Sequence, residues 1–127
     1  MLARRRTRPG PAALLFALLP AAGLAACGGD DAPAVEGPTS PSLDVQAAEM
    51  YYEPDAVAVE AGTVEVVLRN VGTVLHDLRI EDQPFIVEAS AGEDATATVT
   101  LEPGTYDFYC SLPGHRDAGM EGVLEVR

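Results

Sequence analysis

Three side chains with metal-binding chemistry follow one another at equal spacing near the C-terminus: Cys110, His115 and Met120, five residues apart each time. A thiolate, an imidazole and a thioether combine soft sulfur with borderline nitrogen, a donor set that suits copper. A second imidazole, His76, lies 34 residues before Cys110. The chain has only two histidines, and both belong to this set. The residues therefore predict a copper site built from four side chains.

The elements that must position these donors are strands. Apolar and polar residues alternate with a period of two, and short turn sequences interrupt the alternation, which predicts an all-β Greek-key sandwich or barrel of about seven to eight strands. The opening strand is expected from Leu43 to about Tyr51, with a slip in its alternation between Ala47 and Met50 that a bulge would explain. In the strand that carries His76, the residues expected to face inward are Val74, His76, Leu78 and Ile80, and those expected outward are Asp77, Arg79 and Glu81.

The first 26 residues are expected to be an export signal rather than part of the fold. Four arginines precede an apolar run over 12–26 that Pro20 interrupts, and this run is too short and broken for a comfortable membrane span. It ends in Leu-Ala-Ala-Cys27, which resembles a bacterial lipobox, in which the cysteine becomes the lipidated N-terminus. We predict a lipoprotein-type signal peptide over 1–26, lipidation of Cys27 and an extracytoplasmic, membrane-anchored location. An ordinary signal cut after Ala26 and an uncleaved anchor are the alternatives.

Residues 27–42 are expected to connect the lipidated cysteine to the folded part. They are rich in Gly, Pro, Asp and Ala and show no apolar period, as is typical of a flexible tether. Residues 43–127 are predicted to form one small domain. If Cys27 carries lipid, Cys110 is the domain's single thiol in a compartment where free thiols are oxidised. Metal ligation accounts for it, and a Cys27–Cys110 disulfide is the alternative.

The charge balance restricts the partners. The chain has 20 acidic residues against eight arginines, a formal net charge of −12. Four of the arginines precede Cys27, so the residues after it carry −16 (four arginines against 20 acidic residues). Such a chain is not expected to bind nucleic acid, and it should meet the membrane only through its anchor. It suits a redox partner with a basic patch, such as a cytochrome or a cuproenzyme. Solubility is the plain alternative, and a monomer is expected.

The C-terminal motif resembles that of a known family. Gly104-x-Tyr106-x-Phe108-x-Cys110, followed by Pro113-Gly114-His115 and Met120, resembles the type 1 copper signature of the cupredoxins plastocyanin and azurin. Asn70-x-Gly72 leading to His76 is similar to their upstream ligand segment. The resemblance covers residues 43–127. The four residues between Cys110 and His115 are more than plastocyanin has and are similar to rusticyanin-like members.

This resemblance implies one copper ion, cycling between Cu(I) and Cu(II), with His76, Cys110 and His115 in a trigonal plane and Met120 as the long axial ligand. It also implies supporting roles for Asn70, Asp77 and Ser111 around the ligands. The backbone N–H of Asp77 should donate to the Cys110 sulfur, and the Asp77 side chain should face the Ser111 hydroxyl. Because relatives commonly carry Asn where Asp77 stands, we expect its carboxylate to stabilise Cu(II) and lower the reduction potential.

The resemblance also implies where electrons enter and leave. The edge of His115 is expected to be the electron portal, within a small apolar surface that comprises Leu112, Pro113, Gly114 and Ala118. Tyr109 is a candidate second docking point, or else an ordinary strand tyrosine. The implied function is a single-electron carrier and not an enzyme, because copper oxidases and nitrite reductases need further histidines. A copper-delivery protein and a metal-free adhesive sandwich are the alternatives.

Overall fold

The alternating segments form nine strands in two facing sheets. The structure is a computed structural model that describes residues 34–127. Its strands are β1 (Ser42–Ala48), β2 (Tyr51–Glu53), β3 (Ala56–Val59), β4 (Gly62–Asn70), β5 (His76–Ile80), β6 (Ile86–Ala89), β7 (Asp94–Leu101), β8 (Gly104–Tyr109) and β9 (Glu121–Val126). The predicted all-β sandwich is confirmed, with nine strands rather than seven or eight. No helix within the described residues is long and apolar enough to span a membrane.

The two sheets have the orders β2-β1-β4-β7 and β3-β9-β8-β5-β6. β1 runs parallel to β4, and β3 runs parallel to β9, while the other neighbours are antiparallel. The core lies between the sheets because each strand turns its apolar set inward. Val64, Val66 and Leu68 of β4 are at most 1% exposed, and Phe108 and Leu124 of the facing sheet are fully buried.

The opening segment is a hairpin rather than one strand. β1 ends at Ala48, the chain turns through Glu49 and Met50, and β2 returns antiparallel to β1. Met50, the second residue of this turn, has a φ of 69°, which lies in the left-handed region. The slip in the alternation after Ala47 is therefore a turn. The register of β1 is set by its parallel pairing with β4, in which Leu43 lies opposite Val66.

Two expectations for the strand that carries His76 are wrong. β5 begins at His76 itself, and Val74, expected to face inward, lies in the preceding loop with 44% of its surface exposed. Asp77, expected to face outward, is only 2% exposed. The second difference arises because hydrogen-bond donors from the chain after β8 enclose the Asp77 carboxylate, as described below.

The chain before β1 is partly attached to the sandwich. The backbone N–H of Val35 donates to Glu125 Oε2 at 2.8 Å, and that of Ser40 donates to the Ala58 carbonyl at 2.8 Å. The predicted signal peptide over 1–26 and the lipidation of Cys27 lie outside the described residues and stay predictions. The described portion of the predicted tether, residues 34–42, thus contacts β3 and β9, and its last residue, Ser42, is the first residue of β1.

Gly122 provides a test of how tightly β9 packs against its neighbours in the same sheet. A Cβ at this position would lie 2.3 Å from Phe108 Cζ and 2.5 Å from the Asp55 carbonyl oxygen. Because the backbone oxygen cannot move aside cheaply, we expect Gly122→Ala to lower the free energy of unfolding by about 2–3 kcal/mol. Gly104→Ala is the control, since its Cβ would meet Tyr106 at an ordinary 3.6 Å. Urea denaturation of both variants measures the difference, and equal stabilities would contradict this packing.

Candidate metal centre

The four predicted donors come from two places that meet at one end of the sandwich. His76 is the first residue of β5, and Cys110 directly follows the last residue of β8. His115 and Met120 lie in the loop that joins β8 to β9, here called the ligand loop (residues 110–120). We call the end of the sandwich formed by the start of β5 and the ligand loop the metal pole.

Hydrogen bonds within the ligand loop return the chain to its starting point. The backbone N–H of Cys110 donates to the Met120 carbonyl at 3.1 Å, and the N–H of Met120 donates to the His115 carbonyl at 3.1 Å. Gly114 and Gly119 have φ values of 81° and 107°, which glycine adopts without the penalty of a Cβ. The three donor residues of the loop are therefore held in one compact turn.

The thiol and both imidazoles point at a common centre. Cys110 Sγ lies 3.4 Å from His115 Nδ1, and the donor atoms of His76, Cys110 and His115 all lie within 4.8 Å of one another. The two imidazole rings are 5.2 Å apart between centroids. Met120 is fully buried at the same pole. Nitrogen and sulfur donors at such separations can share one ion with bonds of about 2.0–2.3 Å, as they do around zinc.

His76 shows that this centre requires a ligand. Its ring is fully buried, yet neither Nδ1 nor Nε2 has a hydrogen-bond partner within the described part of the chain. A buried polar atom without a partner costs about 1–3 kcal/mol, and ordinary core histidines avoid that cost by bonding to the backbone or to another side chain. A bound cation facing one ring nitrogen would remove the deficit on that side.

Asn70, the last residue of β4, holds the loop that delivers His76. Its buried amide donates to the Val74 carbonyl at 2.7 Å and to the Ala89 carbonyl at 2.8 Å, and its Oδ1 accepts from the Gly72 N–H at 2.9 Å. The Asn70 side chain thus holds the buried side of the loop 71–75 in place. Its exposed side is fastened by Glu49, whose carboxylate accepts from the backbone N–H and the hydroxyl of Thr73.

Asp77 joins β5 to the residues that follow the thiol. β5 and β8 pair at only two positions, Arg79 with Tyr109 and Ile80 with Phe108. Beyond that point the Asp77 carboxylate takes over the connection, because it accepts from the Ser111 backbone N–H at 2.6 Å and from the Ser111 hydroxyl. The buried Tyr52 hydroxyl donates to the Asp77 carbonyl. The strands can therefore separate around the donor cluster while their ends stay connected.

The rim of the metal pole is apolar on the side of the ligand loop. His115 is half-buried, so one edge of its ring approaches the surface, whereas His76, Cys110 and Met120 are fully buried. The predicted portal residues Pro113, Gly114 and Ala118 are exposed around it, and Leu112 packs partly against the core. Sequence reasoning missed the extension of this surface, which includes Val71, Val74 and Leu75 of the loop before β5, each at least 40% exposed.

Tyr109, the candidate second docking point, is half-buried beneath Arg116. The guanidinium carbon of Arg116 lies 4.1 Å from the centre of the tyrosine ring. Arg116 also forms ion pairs with Glu81 at 2.7 Å and Glu121 at 3.1 Å. One face of Tyr109 is therefore covered by a side chain that two carboxylates hold in place.

Comparison with known proteins identifies the family to which this arrangement belongs. The family model described as a cupredoxin-like domain matches residues 13–124. The chain belongs to the cupredoxin family. It is 27% identical to the copper-resistant cuproprotein CopI of Pseudomonas aeruginosa, covering 75% of this chain and 81% of that protein. It is 40% identical to the plastocyanin of Prochlorothrix hollandica, covering 59% of this chain and 62% of that protein.

Two solved structures have the same fold. Dithionite-reduced auracyanin from Roseiflexus castenholzii superimposes with a TM-score of 0.62 at 24% identity, covering 71% of this chain and 99% of that one. Auracyanin B gives 0.59 at 22% identity, covering 73% and 93%. The four donors predicted from the sequence thus lie near one another in a cupredoxin sandwich. The site is a type 1 site for one copper ion, consistent with the donor chemistry and the unpartnered His76.

The protonation of the donors makes copper binding depend on pH. Burial raises the pKa of the Cys110 thiol, and backbone hydrogen bonds from Asp77 and Leu112 partly oppose that rise. Burial, and secondarily the nearby charge of His115, lowers the pKa of His76 and keeps its ring neutral and able to ligate. Because only the thiolate binds a metal ion, copper must displace the Cys110 proton, so affinity rises with pH.

Three of the residues that support the site carry no local sequence signal. Tyr52, Glu49 and Arg79 contact the site through partners 25, 24 and 32 positions away in the chain. Their residue types are ordinary for strands and turns, and only the pairing of the strands brings them to the metal pole. The sequence around their partners also gives no sign of these contacts; the partners are the Asp77 carbonyl, Thr73 and Ser111.

Asn70→Ala tests whether the loop 71–75 sets the position of His76. The substitution leaves the Val74 and Ala89 carbonyls without their buried donor, so we expect the free energy of unfolding to fall by about 2–3 kcal/mol. We also expect weaker copper binding, because His76 follows the loop directly. Gln46→Ala, on the exposed face of the neighbouring β1, is the control and should have little effect on either quantity. Unaltered copper affinity in Asn70→Ala, measured by competition with a chelator, would contradict the assignment.

Proposed function

We propose that this cupredoxin carries single electrons between redox proteins, with copper held by His76, Cys110 and His115 and with Met120 as the axial ligand. One observation carries the proposal: three of the four donors are fully buried, and only the edge of His115 approaches the surface. A substrate has no access to a metal ion in such a site, whereas an electron can cross one imidazole ring. Copper supplies the Cu(I)/Cu(II) couple.

The protein's part in this function is to keep the donors still. Strand ends, the ligand loop and the fastened loop 71–75 each fix one or two donors through backbone or buried hydrogen bonds. Donors that move little between the two oxidation states make electron exchange fast, although how far a protein imposes the copper geometry is debated. The export and anchoring predicted from residues 1–27 remain predictions, and the carrier proposal does not depend on them.

Similarity to CopI favours copper handling as a second candidate function. That relative is named a copper-resistant cuproprotein, and it shares 27% identity over 75% of this chain. A protein that handles copper must release the ion, whereas a carrier must retain it in both oxidation states. The two functions therefore differ in whether reduction loosens the metal.

Copper loading distinguishes these functions. We expect one equivalent of Cu(II) to give the purified protein an intense visible absorption that ascorbate bleaches and that returns on reoxidation over many cycles. The nearly isosteric Cys110→Ser variant should lack this absorption, because the thiolate is its source. A Cu(I) chelator added after reduction should take up little copper from a carrier. Colourless binding, or rapid loss of copper to the chelator, would instead support copper handling.

The partner is proposed to dock on the apolar surface around His115. The described residues include four arginines and 18 acidic side chains. Three of these arginines form ion pairs with carboxylates, namely Arg69, Arg116 and Arg127. The molecule thus presents a negative field around an apolar contact area, which suits a redox protein with a basic patch. Because Arg116 covers Tyr109, the proposed route for electrons is the His115 edge alone.

Ala118→Glu tests this route. A carboxylate beside His115 must lose water when a partner docks, so we expect electron exchange with a basic c-type cytochrome to slow by about tenfold or more. Ala61→Glu adds the same charge next to the start of β4, about 27 Å along that strand from Asn70, and should leave the rate nearly unchanged. The rate of electron exchange is measured by stopped flow at about 1 M salt, because the salt screens the long-range electrostatic field. Tyr109→Phe should also leave the rate unchanged, and equal slowing by Ala61→Glu or Tyr109→Phe would exclude the His115 route.

A further inference from the structure

Asp77 places a buried negative charge next to a copper ligand. It is the one carboxylate that is buried within residues 34–127, with 2% of its surface exposed, and it follows His76 directly in the chain. Burying an ionised carboxylate is costly unless hydrogen bonds or a cation compensate for the lost water. No arginine forms a direct ion pair with it among the described residues. Within the described residues, the compensation comes from hydrogen bonds.

The directions of these hydrogen bonds follow from the donors. An ionised carboxylate only accepts, so the Ser111 backbone N–H and the Ser111 hydroxyl both donate to Asp77. The hydroxyl has one proton, and Asp77 receives it. The Ser111 oxygen is then an acceptor for any further partner, and that partner is Arg79 Nε, which donates to it at 2.9 Å.

Arg79 differs from the other arginines of the described chain. Arg69, Arg116 and Arg127 each lie within 4.0 Å of at least one carboxylate oxygen. Arg79 has no carboxylate at that distance within residues 34–127, and its one side-chain bond there is to Ser111. A guanidinium in an acidic protein that bonds to a neutral hydroxyl is connected through that hydroxyl to the buried charge of Asp77.

We propose that Arg79 is a positioning residue that sets the copper reduction potential through the ordered chain Arg79–Ser111–Asp77. The guanidinium polarises the Ser111 hydroxyl, and the hydroxyl in turn withdraws negative charge from the Asp77 carboxylate. The carboxylate then stabilises Cu(II) less than it would alone, so the potential is higher than Asp77 by itself would give. This inference rests on the proposed electron-carrier function and names the residues that regulate it.

A double-mutant cycle on the copper-loaded protein tests the chain. The four proteins are wild type, Arg79→Gln, Asp77→Asn and the double variant, and the readouts are the midpoint potential and the thiolate–copper absorption. We expect Arg79→Gln to lower the potential in the wild-type background and to have a clearly smaller effect when residue 77 is Asn. Arg79→Lys, which restores the charge, should lie closer to wild type than Arg79→Gln does.

Arg69→Gln is the matched control, because it removes an equal charge from β4 in the other sheet. Its shift should be smaller than that of Arg79→Gln, and equal shifts would overturn the proposal by reducing it to long-range charge. The proposal would also be overturned if Arg79→Gln did not change the midpoint potential, or changed it equally with Asp and with Asn at residue 77. Urea denaturation checks that the variants are equally folded. If neither wild type nor any variant holds redox-active copper, the proposed function itself fails. If copper is redox-active but its potential does not change when Arg79 is replaced, only this inference is overturned.

Discussion

The metal pole depends on keeping four donor side chains convergent while both ring nitrogens of the buried His76 stay without a hydrogen-bond partner in the described part of the chain. A core imidazole with both nitrogens unpartnered, as in His76, is an arrangement that folding alone does not favour. The rest of the sandwich must supply the stability that this cluster costs, and bound metal would return part of it. A small all-β domain can meet this demand because its apolar core lies between the sheets while the donors occupy one end.

The strands solve a second problem at that end. A metal ion needs space where two neighbouring strands would otherwise continue their ladder, so β5 and β8 separate after two paired positions. Backbone groups freed by the separation must find other partners. Asp77 binds Ser111 across the gap, Tyr52 binds the Asp77 carbonyl, and Asn70 holds the two carbonyls beside the loop. Buried side chains thus replace the ladder around the donor cluster.

The sequence was sufficient for the parts that follow from local pattern. Period-two alternation predicted the sandwich, and the rarity of histidine together with the spacing of Cys110, His115 and Met120 predicted which donors converge. Alternation failed at Val74 because the strand had not yet begun there. It failed at Asp77 because another segment covers the outward face of the strand. Whether an outward residue meets water depends on what packs over it, and Ser111 comes from 34 positions away. Arg79 could not be connected to the site for the same reason.

The charged side chains are distributed differently from the apolar ones around His115. Acidic side chains are spread over the sandwich, whereas Pro113, Gly114 and Ala118, which are exposed beside His115, are uncharged. For the proposed redox partner, long-range attraction would act during the approach and raise the association rate. The proposed contact around His115 would bury apolar surface and few charges, so it could dissociate without breaking desolvated ion pairs. A carrier needs this combination, because it must find its partner quickly and leave it quickly, whereas a protein that holds its partner would favour charged side chains at the point of contact.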